Sequence, residues 1–231
     1  MRSNLNGLNL EVIIVAAGAG KRFKGLVPKQ FLNLGGMPVF WRSVLAFLDL
    51  KETSKIIVVV PQKYVKVLSA KYKSFTKVIF VCGGKERFDS VREGLKRVSC
   101  EADFIAVHDG ARPLINVKDI RAVFLEACKT SAAIAACKTK DTIKAAVGQT
   151  IKKTIDRTNL WNAQTPQIFK TDLILMAYKK SIAKNITDDS ELIEKLKKKV
   201  SLVELRYPNF KITNKEDFAL AQFLIEQKNS I

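Results

Sequence analysis

Short apolar runs of the kind that form buried strands recur at residues 12–17, 55–60, 78–82, 104–108, 132–136 and 200–205. Between most of them lie stretches, 38–48, 62–72, 86–98, 117–130 and 171–183, in which apolar residues return at spacings of three and four with Lys and Glu on the other face. This alternation constrains the fold more than any other property of the chain. Successive parallel strands need a crossover, an amphipathic helix supplies it, and helices over both faces allow the strands to be apolar throughout. The pattern predicts an α/β architecture, a doubly wound, mainly parallel sheet with helices on both faces. At 231 residues the chain can bury a core without disulfide or metal staples, and a single domain over 1–231 is expected. One stretch breaks the rhythm. Residues 139–155 are short β-prone pieces around Gly148-Gln149 with alternating Lys and Thr, which reads as a hairpin arm leaving the domain.

Sheets of this kind bind ligands beyond the carboxyl ends of their strands. The chemically capable residues follow that rule: 18–29 come after the first strand, 83–90 after the third and 109–113 after the fourth. The first group, Val15-Ala16-Ala17-Gly18-Ala19-Gly20-Lys21-Arg22 with Pro28-Lys29-Gln30, has the makings of a triphosphate cradle. Its glycines let backbone amides approach a polyanion without a Cβ in the way, while Arg22 and Lys29 add fixed cations that match both phosphates and a phosphoryl transition state. Neither familiar glycine loop fits. A P-loop needs glycine where Val15 stands and Ser or Thr where Arg22 stands; a dinucleotide fingerprint needs glycine at Phe23 and an acid near Arg42 and Ser43.

After the third run, Gly83 and Gly84 lead through Lys85, Glu86, Arg87 and Asp89 to Ser90 at the opening of a helix. Free backbone groups and an adaptable hydroxyl there suit a flat base or a phosphate; an ordinary turn and helix cap is the alternative. His108-Asp109-Gly110-Ala111-Arg112-Pro113 closes the fourth run, where Asp109 can hold a divalent metal or substrate hydroxyls. His108, the single histidine, reads as a packed, hydrogen-bonded residue rather than a proton shuttle.

The net charge of +18, from 40 Lys plus Arg against 22 Asp plus Glu, opens nucleic acid, anionic membranes and phosphorylated small molecules as partners. The lysines are spread over every segment, densest at Lys195, Lys197, Lys198 and Lys199, with no basic stripe interleaved with aromatics. Nucleic acid is therefore not expected as a partner. No run reaches the roughly 18 apolar residues of a membrane span, and Glu11 beside a short apolar stretch argues against a signal peptide. Cys82, Cys100, Cys128 and Cys137 lack metal-type spacing, which fits reduced thiols in a cytoplasmic protein.

With these residues in view, the chain resembles the 2-C-methyl-D-erythritol 4-phosphate cytidylyltransferases of the non-mevalonate isoprenoid pathway nearly end to end. The landmarks are 16–22, 28–31, Gly83-Gly84 through Asp89-Ser90-Val91, 107–113, Asp141-Thr142-Ile143-Lys144, Asp156-Arg157, 160–167, Thr187-Asp188-Asp189 and Lys211-Ile212-Thr213. The resemblance implies a Rossmann-like nucleotidyltransferase fold with a mixed sheet of about seven strands, a protruding β-arm and a homodimer joined through it. It implies that CTP and the sugar-alcohol phosphate are joined, with Mg²⁺ present, to give 4-diphosphocytidyl-2-C-methyl-D-erythritol and pyrophosphate. Ala16, Ala17, Gly18, Gly20, Arg22 and Lys29 would contact the triphosphate, Arg22 and Lys29 at the reacting phosphate, with Lys211 as a third catalytic cation. Gly84 and Ser90 would read the cytosine. Asp109, Ala111 and Arg112 would form the floor, Asp109 near metal and substrate hydroxyls. Thr142, Arg157, Thr165, Thr187 and Lys211 would hold the acceptor, Thr142 and Arg157 serving the neighbouring subunit.

Two places depart from the commoner family pattern: 205–208 replaces a run of small residues before Lys211, and Lys85 adds a charge near the base pocket. The nearest rival is ribitol 5-phosphate cytidylyltransferase, which shares the first loop and Gln164-Thr165-Pro166-Gln167; Lys144 and Leu160-Trp161 look more like the methylerythritol enzymes. A non-catalytic basic nucleic-acid-binding protein and a structural homodimer without activity are the rivals from other classes.

Overall fold

The computed structural model describes residues 5, 7–18, 23, 27–181, 186–205 and 208–229. The first apolar run forms β1 (Leu10–Val15), and the crossovers follow in order. A small hairpin, β2 (Asn33–Leu34) and β3 (Met37–Pro38), precedes α1 (Val39–Leu48). Then come β4 (Thr53–Val60), α2 (Gln62–Lys71), β5 (Val78–Cys82), α3 (Arg87–Leu95), β6 (Phe104–Asp109), α4 (Val117–Thr130) and β7 (Ala132–Lys138). The chain continues through β8 (Ile143–Val147), β9 (Thr150–Ile155), β10 (Trp161–Lys170), α5 (Thr171–Lys180), α6 (Ser190–Lys195), β11 (Ser201–Glu204) and α7 (Lys215–Asn229).

Seven strands make one mixed sheet in the order β11-β7-β10-β6-β1-β4-β5. β1 lies at its heart, parallel to both β4 and β6. Side chains alternate across this strand as the two-residue period requires. Val12 and Ile14 pack with Phe40, Val44 and Phe47 of α1 and with Ile120, Val123 and Phe124 of α4. Ile13, on the opposite face, joins Val91 and Leu95 of α3 and Ile174, Ala177 and Tyr178 of α5. The sheet is thus doubly wound, with α1 and α4 on one side and α3 and α5 on the other. A third cluster, Leu34, Val39, Leu114, Ile212, Ala221 and Ile225, seats α7 and the segment before it against the hairpin side.

β10 is the element that the apolar pattern does not announce. It is antiparallel to both neighbours, and its pairing with β7 slips between Ala163 and Gln167. Pro166 falls within that irregularity, where a missing N–H breaks no ladder bond. β8 and β9 form a separate two-stranded sheet over the segment expected as an arm; most of its residues are exposed and none is buried.

Register aligns the functional ends of the sheet. Val15 pairs with both Val59 and Asp109, and Val60 pairs with Cys82, so the loops after β1, β5 and β6 leave from one edge. The bonds Ala16 N–H to Val59 O (2.8 Å), Gly110 N–H to Val15 O (2.9 Å) and Gly83 N–H to Val60 O (2.9 Å) tie those exits together.

Close approach of α3 to β1 rests on Gly94, where a Cβ would stand 2.7 Å from Cγ2 of Ile13. Ile13 is β-branched, wholly buried and fixed in the sheet, so it cannot yield. Gly94→Ala should lose more from overpacking, about 1–3 kcal/mol, than it gains from helix propensity, about 1 kcal/mol. Thermal unfolding should show a midpoint lowered by roughly 2–4 °C per kcal/mol of net loss; an unchanged or raised midpoint would contradict this packing argument.

Candidate active site

The three loop exits and the segment at Lys211 enclose a cleft of about 440 Å³. It brings together nine of the residues singled out in the sequence: Ala16, Ala17, Gly18, Lys29, Gly84, Ser90, Asp109, Ala111 and Lys211. Val15, Gln30, Lys85, Glu86 and Arg87 complete the lining. Gly20 and Arg22 lie outside the described residues, as do two of the four positions of the 205–208 departure.

The first loop is held from below. Gln30, buried behind a 3₁₀ turn at Lys29–Phe31, donates from Nε2 to the carbonyls of Ala16 and Gly18, both at 2.8 Å. These bonds occupy carbonyl oxygens that would otherwise face an incoming anion, and they place Lys29 at the cleft wall. Gly18 is exposed, and a Cβ there would meet no atom of the described residues within 4 Å. Gly83 and Gly84 are needed for a different reason: a Cβ on Gly83 would lie 2.4 Å from that of Ala17, and one on Gly84 2.2 Å from that of Asp89. The Gly84 N–H donates to Ser90 Oγ at 3.2 Å, fixing the loop over the start of α3, and Asp89 accepts from the Glu86 N–H at 3.3 Å.

Asp109 is the centre of the charge arrangement. Its carboxylate is about 9% exposed and meets three cations: Arg87 Nε at 3.4 Å on Oδ1, Arg112 Nε at 3.4 Å and Lys211 Nζ at 3.0 Å on Oδ2. Burial alone would raise its pKa; Arg87, Lys211 and Arg112 overcome that and hold it well below the ordinary carboxylate range. Lys211 reaches this point because the Ile212 N–H donates to the Ala111 carbonyl (2.8 Å) while the Ile212 side chain is buried in the third core cluster. Arg112 lies beneath the floor, bonding the Asn209 carbonyl at 2.8 Å, and does not line the cleft.

Below the floor runs a chain of hydrogen bonds whose direction is fixed. The Arg112 carbonyl can only accept, so His108 Nε2 carries the proton (3.3 Å), and Nδ1 accepts from the Thr165 hydroxyl at 3.0 Å. Thr165 Oγ1 in turn accepts the Asp109 N–H at 3.0 Å. Thr165 is buried, with its hydroxyl directed to the backbone of the site instead of into the cleft. Burial, reinforced by Arg112 and Lys211 against the opposing pull of Asp109, lowers the His108 pKa to about 4. A neutral imidazole packed edge-on against Phe47 (5.3 Å) is a structural element of the floor.

The remaining acceptor candidates stand apart from the cleft of their own chain. Thr142 and Arg157 flank the β8–β9 ribbon, exposed, with Arg157 Nη1 bonded to the Lys140 carbonyl. Thr187 is exposed and bonds Glu191 through both N–H and hydroxyl, each at 3.0 Å, at the start of α6.

Sequence reasoning assigned no role to Arg87, Gln30 or Asp189. A signal for Arg87 existed: it shares the helical face of Ser90, Val91 and Gly94, all buried, so a charged residue was spaced into an inward-facing stripe. Its Nη2 meets the fully buried Asp189 at 2.6 Å.

A divalent cation can be tested against this donor set. Among the described residues, no group of three or more His, Cys, Asp or Glu side chains is placed to hold a metal. Mg²⁺, however, commonly takes one or two carboxylates and completes its shell with water and substrate phosphate. Asp109, kept ionised at a cleft whose walls also carry Lys29 and Lys211, fits that role.

The profile of the 2-C-methyl-D-erythritol 4-phosphate cytidylyltransferase family matches residues 10–227. A protein of that name from Endomicrobium trichonymphae is 55% identical over 217 residues, 93% of this chain and 97% of the relative; one from Lachnospira eligens is 38% identical over 225 residues, 93% and 98%. Among solved structures, the 4-diphosphocytidyl-2C-methyl-D-erythritol synthase of Anaerococcus prevotii superposes with a TM-score of 0.83 at 30% identity, covering 96% of this chain and 98% of that one. The 2-C-methyl-D-erythritol 4-phosphate cytidylyltransferase of Thermus thermophilus gives 0.77 at 28% identity over 93% and 98%.

The two buried titrating groups of the floor give stability a sign. His108 has a folded pKa near 4 against an ordinary 6.5, so the unfolded chain takes up a proton the folded chain refuses, and stability falls as pH drops through that window. Asp109 acts in the same direction at lower pH, because its stabilisation, present above the ordinary carboxylate pKa, is lost as pH falls below it. Urea unfolding at pH 7.5 and 5.0 should show the native chain losing about 2 kcal/mol more than His108→Gln. Equal losses would place the acid sensitivity elsewhere.

Proposed function

The chain belongs to the 2-C-methyl-D-erythritol 4-phosphate cytidylyltransferase family, and from that premise we propose that it transfers the cytidylyl group of CTP to 2-C-methyl-D-erythritol 4-phosphate, releasing pyrophosphate. The observation that carries this reading is the single cleft in which the glycine loop, Lys29, the Gly84–Ser90 turn, Asp109 and Lys211 converge from distant parts of the chain.

In this reading an oxygen of the acceptor phosphate attacks the α-phosphorus of CTP, a new P–O bond forms, and the bond to the bridging oxygen breaks as pyrophosphate departs. The attacking phosphate, with a second pKa of about 6, is already largely ionised near neutral pH and needs no protein base. That agrees with a site whose single histidine is neutral, buried and fully hydrogen-bonded. The protein contributes alignment and charge. Ala16, Ala17, Gly18 and Gly20 cradle the triphosphate, Arg22 and Lys29 neutralise the charge that builds at the α-phosphate, and Gly84 with Ser90 receives the cytosine. Ala111 lines the floor beside the nucleotide. Arg112 braces Asp109 from below, and Thr165 sets the Asp109 backbone. Lys211, paired with Asp109 at the cleft wall, would meet the acceptor phosphate. Asp109 would hold Mg²⁺, which supplies charge neutralisation to the leaving pyrophosphate.

We assign Thr142 and Arg157 to the acceptor site of a second copy of the chain. They are exposed on the β8–β9 ribbon, away from their own cleft, and Val147 (70% exposed) and Ile151 (63%) give the same ribbon uncovered apolar surface. Thr187, presented at the start of α6, is placed with the acceptor as well. Unpaired cysteines accord with work in the cytoplasm, and no described helix is long and apolar enough to cross a membrane. The spread of lysines argues against nucleic acid as a partner.

The direct test is pyrophosphate release with CTP and Mg²⁺ in the presence of methylerythritol 4-phosphate, ribitol 5-phosphate or no acceptor. Turnover with the first alone is expected; turnover with ribitol 5-phosphate would move the assignment to the rival acceptor. Arg22→Ala and Lys29→Ala should each lose on the order of 10² to 10³ in rate with folding intact. Arg157→Ala should raise the acceptor KM far more than that of CTP. Lys29→Ala and Arg157→Ala chains exchanged into mixed dimers and assayed at acceptor concentrations well below the raised KM, where neither variant alone turns over appreciably, should restore about a quarter of native activity, since half the dimers would be mixed and each would hold one complete site. No recovery on mixing would put Arg157 in the cleft of its own chain.

A further inference from the structure

On the face of the sheet occupied by α3 and α5, a second charged cluster lies outside the cleft, and it is more deeply buried than the site itself. Asp189, immediately before α6, is wholly excluded from solvent. One carboxylate oxygen accepts Arg87 Nη2 at 2.6 Å and the other accepts the Tyr178 hydroxyl at 2.5 Å. Its position is fixed by its own backbone, because the N–H groups of Asp189 and Ser190 both donate to Gln167 Oε1 at 3.0 Å. Gln167 belongs to β10 and also donates to Asp188 at 2.8 Å. Tyr178, on α5, stacks on Phe88 of α3, with ring centroids 4.7 Å apart and planes 10° from parallel. Burial and the charge of Asp189 keep the phenol protonated, so it serves as a donor.

Arg87 joins this cluster to the cleft. It is the first residue of α3, and its guanidinium divides between a short bond to Asp189 and a long one, 3.4 Å from Nε, to Asp109. An arginine released beside a lone carboxylate settles into a close two-bond pair. Here the buried anchor prevents that, and Oδ1 of Asp109 is left with one long contact.

We propose that Asp189 and Tyr178 are positioning residues that restrain Arg87, setting both the seat of the 83–90 turn and the availability of the Asp109 carboxylate to a nucleotide in the cleft. Asp189 touches no substrate; it acts through Arg87 and through the stack that docks the start of α3 onto α5. This rests on the cytidylyl-transfer reading for its kinetic consequence, though not for its geometry.

Asp189→Asn keeps the shape and the acceptor for Tyr178, but its amide nitrogen or its neutral oxygen faces Arg87 Nη2, so the guanidinium turns toward Asp109. Steady-state kinetics should show kcat/KM for CTP lowered 10- to 100-fold, the scale typical of removing an outer partner of a catalytic group, with the acceptor KM changed less than about threefold. Tyr178→Phe retains the ring stack and should lose roughly two- to fivefold. Arg87→Lys, which preserves charge but cannot span both carboxylates, should not restore activity. Val123→Ala, a truncation in the opposite face of the core, serves as the control for lost stability and should keep native kinetic constants. Nitrogen-15 spectra supply a readout that needs no turnover: Arg87 should show slowed guanidinium rotation and exchange in the native chain, and in Asp189→Asn its Nη signals should move as the fork leaves Asp189 for Asp109. If the native protein shows no cytidylyl transfer, the spectra still decide whether the clamp exists. Native kcat/KM for CTP in both Asp189→Asn and Tyr178→Phe, equal losses in Val123→Ala, or a freely exchanging Arg87 in the native chain would each overturn the proposal.

Discussion

A carboxylate can be kept ionised in a largely dry place only if cations are brought to it, and the architecture around Asp109 is organised by that requirement. Three separate segments deliver the charges: Arg87 from the start of α3, Arg112 from the turn after β6, and Lys211 from the segment before α7. Each needs its own support. The Arg87 fork is caught by Asp189, Arg112 by the Asn209 carbonyl, and the Lys211 segment by the bond from Ile212 to Ala111. Removing a supporter therefore acts at a distance, because the charge it held would move and the buried carboxylate would repair its balance with whatever remained.

The proposed function requires a strongly basic protein to present a specific anion site. Most of the net charge of +18 belongs to scattered surface lysines, where solvent screens it. Within the cleft, positive charge is partly compensated by Asp109, and in the proposed reading the attraction for phosphate comes from Lys29 and from the first loop, whose Ala16 and Gly18 carbonyls are bonded by Gln30. Orientation distinguishes this surface from the rest of the protein more than total charge does.

How much was legible beforehand differed from element to element. The first, third and fourth apolar runs fall on β1, β5 and β6, and their exits hold most of the lining residues, because a buried parallel strand leaves an unmistakable apolar run. β10 left no such mark. Pro166 and the amides Gln164 and Gln167 interrupt any apolar run, yet the segment lies inside the sheet, its proline accommodated where the register slips and Gln167 used to cap α6. The helix expected over 86–98 is shorter, ending at Leu95, and α7 was not anticipated. Thr165 was expected at the acceptor from the family resemblance; that its hydroxyl spans Asp109 and His108 is visible only once β6 and β10 lie side by side.

By itself the sequence determined the alternation of strands and helices, the doubly wound sheet, the phosphate-suited loop and the family. These depend on local periodicity and on short motifs whose backbone demands are met within a few residues. Tertiary structure alone decided which charges meet. Arg87 and Asp189 are 102 positions apart, and Lys211 and Asp109 are separated by the same 102; no local pattern encodes such pairings, because they arise only when strand register brings separate loops to one edge and burial makes each charge find a partner.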